Sequence, residues 1–178
     1  LIGKAEEKHV LDVLRSKSLF RYYGPDVLGK VTSFERALSM RLGRLSVLAT
    51  NSGTSALKCA LHAVGVGPGD EVLVPAYSYV ASADVVISLG ATPVFVEIDK
   101  SMTMDPSDLE AKITPRTKAI TPVHLFGVPC AMRAIMEIAD RHGIAVVEDF
   151  AQPLGASYDG QVVGTFGKTS ITSFQLNK

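Results

Sequence analysis

Short apolar runs alternate with amphipathic helical segments along most of this chain, and this alternation strongly constrains its fold. The runs predicted as strands lie at residues 45–49, 71–75, 94–99, 117–123 and 144–147. Apolar residues recur at helical spacing between them, and the connections are short. Strands with no polar face are buried on both sides, which is typical of parallel sheets covered by crossover helices. The sequence therefore predicts a three-layer α/β fold, with a mostly parallel sheet between helices.

The predicted helices have recognisable starts and ends. Apolar residues on one face predict a helix from Lys4 to Ser16, and Thr32 or Ser33 can cap a second helix that Gly43 ends. Further helices are predicted from residue 53 to 64, through residues 86 and 89, and at 105–113 and 131–142. The pair Asp105-Pro106 is a typical helix start, because proline is favoured at the first helical position.

Composition excludes several classes of protein. Of the 178 residues, 47% are hydrophobic and 20% charged, which is enough for a packed core and argues against disorder. The 18 basic and 18 acidic residues cancel, so the charge balance does not indicate a nucleic-acid or anionic membrane partner. No apolar stretch reaches the ~20 residues of a membrane span. Cys59 and Cys130 form no CxxC or metal-ligand pattern, so we expect a soluble, cytoplasmic domain with two buried free thiols and no metal.

The apolar run at 144–147 ends in two acids, Glu148 and Asp149, and a second apolar run leads to Lys178. Ligands in open α/β sheets bind outside the carboxyl ends of the strands. An acid for a pyridinium nitrogen and a lysine for a Schiff base are the groups that a pyridoxal phosphate (PLP) enzyme needs. Taken alone, these residues are explained more simply by an ordinary ion pair between Asp149 and Lys178 in an α/β binding domain.

A second candidate site lies where the predicted strand at 45–49 passes into a helix. Free N–H groups of a first helical turn, with the hydroxyls of Thr54 and Ser55, form a ready anion site. Gly53 lets a phosphate approach the backbone. The same stretch can also be an ordinary helix cap, so both interpretations stay open.

Two further side chains follow predicted strands. Tyr79 can offer a flat face to a cofactor ring or merely cover a helix start. His124 either lines a pocket or is a structural loop histidine. No Gly-x-Gly-x-x-Gly follows the first predicted strand and no Gly-Lys-Ser/Thr loop occurs, so the sequence does not indicate a dinucleotide or P-loop site.

Short motifs in a specific order resemble the DegT/StrS family of PLP-dependent sugar aminotransferases, which have the aspartate-aminotransferase fold. The motifs lie at residues 51–57, 69–72, 77–82, 148–152, 155–158, 164–167 and 173–178. Each is modest alone, whereas their order and spacing together are distinctive. The resemblance covers essentially the whole chain.

The resemblance implies roles for individual residues. Lys178 falls where the family holds its cofactor in a Schiff base, and Asp149 where a carboxylate pairs with the pyridinium nitrogen. Gln152 is similar to the glutamine that contacts the 3′ oxygen of the ring, and Tyr79 to the aromatic residue that stacks on it. Phosphate ligands, assisted by main-chain N–H groups, correspond to Gly53, Thr54, Ser55 and Ser173. A lysine at position 178 also argues against the related sugar dehydratases, which carry a histidine there.

The resemblance also implies a reaction: transfer of an amino group from glutamate or glutamine to a keto-sugar, with a nucleotide-linked sugar as first candidate. A keto-cyclitol of the inosose type is the alternative substrate, and a PLP-binding regulatory protein without turnover is the alternative function. Family members are generally homodimers, so we expect at least a dimer. We expect residues 1–178 to be the N-terminal segment and large PLP-binding domain of a longer chain with a small C-terminal domain.

Overall fold

The computed structural model describes residues 2–43 and 46–175. The chain divides into two compact units, Leu1–Ala49 and Thr50–Lys178, and each is described by itself. Within the described ranges, no helix is both long and apolar enough to cross a bilayer.

The described part of the first unit contains two helices, α1 (Lys4–Ser16) and α2 (Lys30–Leu42). The predicted bounds of α1 are confirmed. The predicted start of α2 is wrong by three or four residues, because Gly29 adopts a left-handed conformation (φ 61°) and its carbonyl accepts the N–H of Ser33 at 2.9 Å. Gly43, also left-handed (φ 63°), ends α2 as predicted.

The strand predicted at 45–49 is wrong for its described residues, 46–49, which form no strand. Residue 45 lies outside the described residues. The N–H of Ala49 donates to Oε1 of Glu35 at 2.7 Å, so a side chain satisfies it instead of a sheet ladder. The Glu35 carboxylate is buried and pairs through its other oxygen with Arg21.

The second unit is built around a parallel sheet. Its elements in chain order are α3 (Gly53–Ala63), β1 (Glu71–Pro75), α4 (Ala81–Ser88), β2 (Thr92–Val96), α5 (Pro106–Ala111), β3 (Thr117–Ile120), a 3₁₀ turn (Leu125–Gly127), α6 (Met132–His142), β4 (Ala145–Asp149), β5 (Ser157–Tyr158), β6 (Gln161–Val162) and β7 (Thr169–Ile171). Five of the described strands form one sheet in the order β2-β1-β3-β4-β7, and each neighbouring pair is parallel. Strands β5 and β6 form a separate antiparallel ribbon.

Helices cover both faces of this sheet, which confirms the predicted three-layer architecture. In β1, Val72 and Val74 pack in the apolar cluster of α3 and α4, whereas Leu73 packs in the cluster of α5 and α6. In β4, Val147 belongs to the first cluster and Val146 to the second. Successive side chains of a strand point to opposite faces, so strands covered on both sides must be apolar throughout.

Two predicted strands extend too far. Strand β2 ends at residue 96 and β3 at residue 120. Beyond these ends only single bridges form, antiparallel between Ile98 and Met104 and parallel between Val123 and Asp149. Pro122 has no N–H to continue the ladder, which explains the early end of β3.

Candidate functional site

The predicted site residues within the described part of the chain lie at the carboxyl edge of the parallel sheet. Asp149 is the last residue of β4, and Gln152 follows in the loop after it. Ser173 lies two residues beyond the end of β7, and Tyr79 lies between β1 and α4. In open α/β sheets this edge is where ligands bind.

The alternation of side chains along β4 sends its two terminal acids to opposite faces. Val147 packs with α3 and α4, so Asp149, two residues later, faces that side. Glu148 follows Val146 to the side of α5 and α6. The Asp149 side chain is mostly buried, and its Oδ1 accepts the N–H of Ala151 at 2.9 Å. Asp149 therefore presents a carboxylate on the face of the sheet edge that α3 covers.

The start of α3 lies against the segment that follows β7. Ser52 caps the helix, because its Oγ accepts the N–H of Ser55 at 3.1 Å. A Cβ on Gly53 would lie only 3.2 Å from Cβ of Ser173. Within residues 2–43 and 46–175, the N–H groups of Gly53 and Thr54 have no hydrogen-bond acceptor. Capping and anion binding are therefore compatible here, because different groups of the first turn serve each.

Gln152 is held with its amide in a defined direction. Its Oε1 accepts the main-chain N–H of Phe126 at 2.5 Å, which leaves the NH₂ group of Gln152 as a donor for other groups. Phe126 has a left-handed backbone (φ 52°), uncommon for a residue other than glycine. Its side chain is 68% exposed, and its ring centroid lies 6.4 Å from that of Tyr77. Strained backbone of this kind clusters at functional sites, and no sequence pattern signalled it.

Tyr79 and Lys178 are the two remaining predicted site residues. Tyr79 is 65% exposed in the loop before α4, so its ring is accessible, and its stacking role stays a prediction. Lys178 lies outside the described residues, so its role also stays a prediction.

His124 and Glu148 form a buried pair of ionisable residues that the sequence patterns did not predict. His124 and Glu148 are both fully buried, and Nε2 of His124 lies 3.4 Å from Oε2 of Glu148. The structure thus favours the interpretation of His124 as a satisfied loop histidine. Nearby, burial raises the pKa of the Cys130 thiol to about 12, and its Sγ donates to the carbonyl of Val123 at 3.2 Å. Such a thiol is unreactive.

Comparisons with known proteins agree with this geometry and confirm the resemblance. The profile of the DegT/DnrJ/EryC1/StrS aminotransferase family matches residues 1–178. GDP-perosamine synthase of Caulobacter vibrioides is 48% identical over 149 residues, covering 83% of this chain and 40% of that protein. L-glutamine:2-deoxy-scyllo-inosose aminotransferase of Streptomyces kanamyceticus is 44% identical over 153 residues, covering 83% of this chain and 36% of that protein.

A solved structure with the same fold is described as a PLP-form. It is the PLP-form of a Streptococcus pneumoniae protein assigned as a sugar aminotransferase, with a TM-score of 0.89 and 36% identity. The match covers 98% of this chain and 47% of that one. The chain therefore spans less than half the length of the relatives it matches.

Proposed function

The chain belongs to the DegT/DnrJ/EryC1/StrS aminotransferase family, and we propose on this basis that the complete protein is a PLP-dependent aminotransferase. It moves an amino group from glutamate or glutamine to a nucleotide-linked keto-sugar. The observation that carries the proposal is the close approach of Ser173 to Gly53, at the sheet edge where Asp149 ends β4. An anion site and a carboxylate on the same face of that edge match the two charged ends of PLP.

The phosphate end fits the start of α3. Among the described residues, the N–H groups of Gly53 and Thr54 have no acceptor and are available to bind a phosphate. The hydroxyls of Thr54, Ser55 and Ser173 lie on the two segments that meet here, the start of α3 and the residues after β7. Glycine at position 53 keeps the main chain accessible, and the helix N-terminus favours negative charge. These groups would hold the phosphate without a basic side chain.

The ring fits the groups around the end of β4. The carboxylate of Asp149 would accept a hydrogen bond from the protonated pyridine nitrogen and so keep that nitrogen positively charged. The NH₂ group of Gln152 would donate to the ring oxygen, because its Oε1 is already occupied by the N–H of Phe126. Tyr79 would pack its accessible ring on the cofactor face. When bound, PLP supplies an electron sink for the electron pair left on the donor carbon.

Lys178 has two tasks in this proposal. It would hold the cofactor covalently, and its free amine would move a proton between Cα of the donor and C4′ of the cofactor. Asp149 stabilises the charge that develops during this proton transfer. Removing such an electrostatic contribution costs about 3 kcal/mol of transition-state stabilisation in typical enzymes.

The similarity to an inosose aminotransferase supports a second candidate substrate, a keto-cyclitol. Both substrates require the same chemistry at the residues described above. We also propose that the complete protein is at least a homodimer with a small C-terminal domain. Its two cysteines are free, which is consistent with the cytoplasmic location that we propose. Cys130 is buried as predicted, whereas the predicted burial of Cys59 is wrong, because its side chain is exposed.

The test is the visible absorption spectrum of the complete protein loaded with PLP, before and after addition of L-glutamate or L-glutamine. We expect a visible band from lysine-bound PLP that disappears with the working donor as the pyridoxamine form accumulates. Lys178→Ala is the matched control and should give neither the band nor turnover. A band that both donors leave unchanged would favour the regulatory alternative. Absence of any band after PLP is supplied would favour the simple ion pair.

The acceptor is tested next with the protein in its aminated form. Nucleotide-linked keto-sugars and a keto-cyclitol are offered separately, and return of the visible band identifies the acceptor. Return with the cyclitol alone would replace the first candidate substrate by the second.

A further inference from the structure

Glu148 carries a buried carboxylate that the proposed chemistry does not use. Its oxygens accept main-chain N–H groups of Gly164, Phe166 and Gly167, each at 2.7 Å. Nε2 of His124 lies 3.4 Å from the same carboxylate. An ionised carboxylate has about four acceptor positions, and burying its charge without partners is very unfavourable. These donors satisfy the charge, and in doing so they fix the residues that donate.

The ring of His124 is oriented by its second nitrogen. Nδ1 accepts the N–H of Cys130 at 3.0 Å, so in neutral His124 the ring proton must lie on Nε2, the nitrogen that faces Glu148. The main-chain N–H of His124 donates to the carbonyl of Asp149 at 3.0 Å. His124 is therefore tied to the end of β4 by its ring and by its backbone.

This anchor immediately precedes the turn that orients Gln152. Phe126, two residues after His124, donates its N–H to Oε1 of Gln152. The left-handed backbone of Phe126 persists only if its surroundings determine it. The buried contact between Glu148 and His124 lies at the start of this turn.

We propose that Glu148 and His124 are positioning residues that set the direction of the Gln152 amide, and thereby the basicity of the cofactor's ring oxygen. The inference rests on the proposed function. Glu148 acts only through other residues, because strand alternation sends it to the face opposite Asp149. An NH₂ group directed at the ring oxygen favours its anionic form, so a misdirected amide makes the oxygen harder to deprotonate.

The experiment is a pH titration of the visible spectrum of the complete protein with bound PLP. Glu148→Gln replaces one acceptor oxygen with an NH₂ group that opposes the surrounding N–H donors. We expect Glu148→Gln and Gln152→Ala each to raise the spectral pKa by about half a unit or more. The double variant should shift no further than Gln152→Ala, because both changes act through one amide.

Glu71→Gln is the matched control. Glu71 is another buried carboxylate, hydrogen-bonded to Thr114 and Arg116, but it lies at the amino end of β1, the opposite edge of the sheet. It should lower the thermal unfolding midpoint without moving the spectral pKa. His124→Gln is the second variant if Glu148→Gln does not fold, and it should also raise the spectral pKa.

The possible outcomes separate the two proposals. If Glu148→Gln and His124→Gln fold and lower the unfolding midpoint but keep the wild-type spectral pKa, the proposed positioning role is wrong. Additive spectral shifts in the double variant would also overturn it, because the two residues would then act independently. If the wild-type protein supplied with PLP gives no visible band, the proposed function fails, and this inference fails with it.

Discussion

Replacing Gly53 by alanine tests whether the gap between the start of α3 and Ser173 holds the cofactor phosphate. The added Cβ would lie 3.2 Å from Cβ and 3.4 Å from Oγ of Ser173. Optimal carbon contacts are about 3.5–4.0 Å, so the methyl group would fill the gap tightly. We expect the affinity for PLP to fall while the fold persists.

Opposing effects keep the change in the free energy of unfolding small. Glycine to alanine, where φ is not positive, stabilises a protein by about 0.4–1 kcal/mol, because it restricts the unfolded chain. The tight contact with Ser173 offsets this gain by a cost of similar size or somewhat more.

A charge-assisted hydrogen bond to the phosphate contributes about 1.5–3 kcal/mol. Loss of one such bond raises Kd for PLP roughly tenfold to a hundredfold.

The assay is a PLP titration of the complete protein followed by the visible band, with thermal unfolding of the PLP-free form measured in parallel. Gly67→Ala is the control, because no atom lies within 4 Å of its added Cβ and its φ is not positive. That variant should keep the wild-type Kd. A folded Gly53→Ala protein with wild-type affinity would refute the placement of the phosphate at this helix start.

Three further predictions concern residues around the sheet. Asp149→Asn should keep PLP bound but lower kcat on the order of a hundredfold or more, measured by single-turnover spectroscopy; unchanged kcat would contradict its role. Hydrogen bonds from Thr114 and Arg116 lower the pKa of Glu71 below its ordinary value, so its stabilising effect is complete above about pH 4.5 and is lost as the pH falls through the lowered pKa. The gap in Tm between wild type and Glu71→Gln should therefore shrink below about pH 4.5, and a constant gap would contradict this. Gly167→Ala places a Cβ 2.5 Å from the main-chain carbonyl oxygen of Val146 in β4. We expect it to lower the free energy of unfolding by more than about 3 kcal/mol in urea titrations. A variant of wild-type stability would contradict this contact.

Sequence reasoning predicts those elements whose signals are local. The helix predicted over Lys4–Ser16 is confirmed, because its apolar spacing lies within the helix itself. The start at Asp105 is correct because its side chain accepts the N–H of Ser107 at 2.8 Å, two residues away. The strand predicted at 45–49 is wrong for its described residues, 46–49, because a short apolar run does not determine which acceptors its N–H groups will bind. For Ala49 that acceptor is Glu35, fourteen residues earlier.

The candidate site likewise combines features with local sequence signals and contacts between residues far apart in the chain. The amino-acid sequence alone predicts that Asp149 ends a buried strand and that Gly53 to Ser55 open a helix, because strand ends and helix caps depend on neighbouring residues. The contact between Ser173 and Gly53 arises only when the chain folds. The same holds for the hydrogen bonds that Glu148 accepts from main-chain groups sixteen to nineteen residues further along the chain. Such contacts depend on how crossover connections bring distant strand ends to one edge, which no local pattern records.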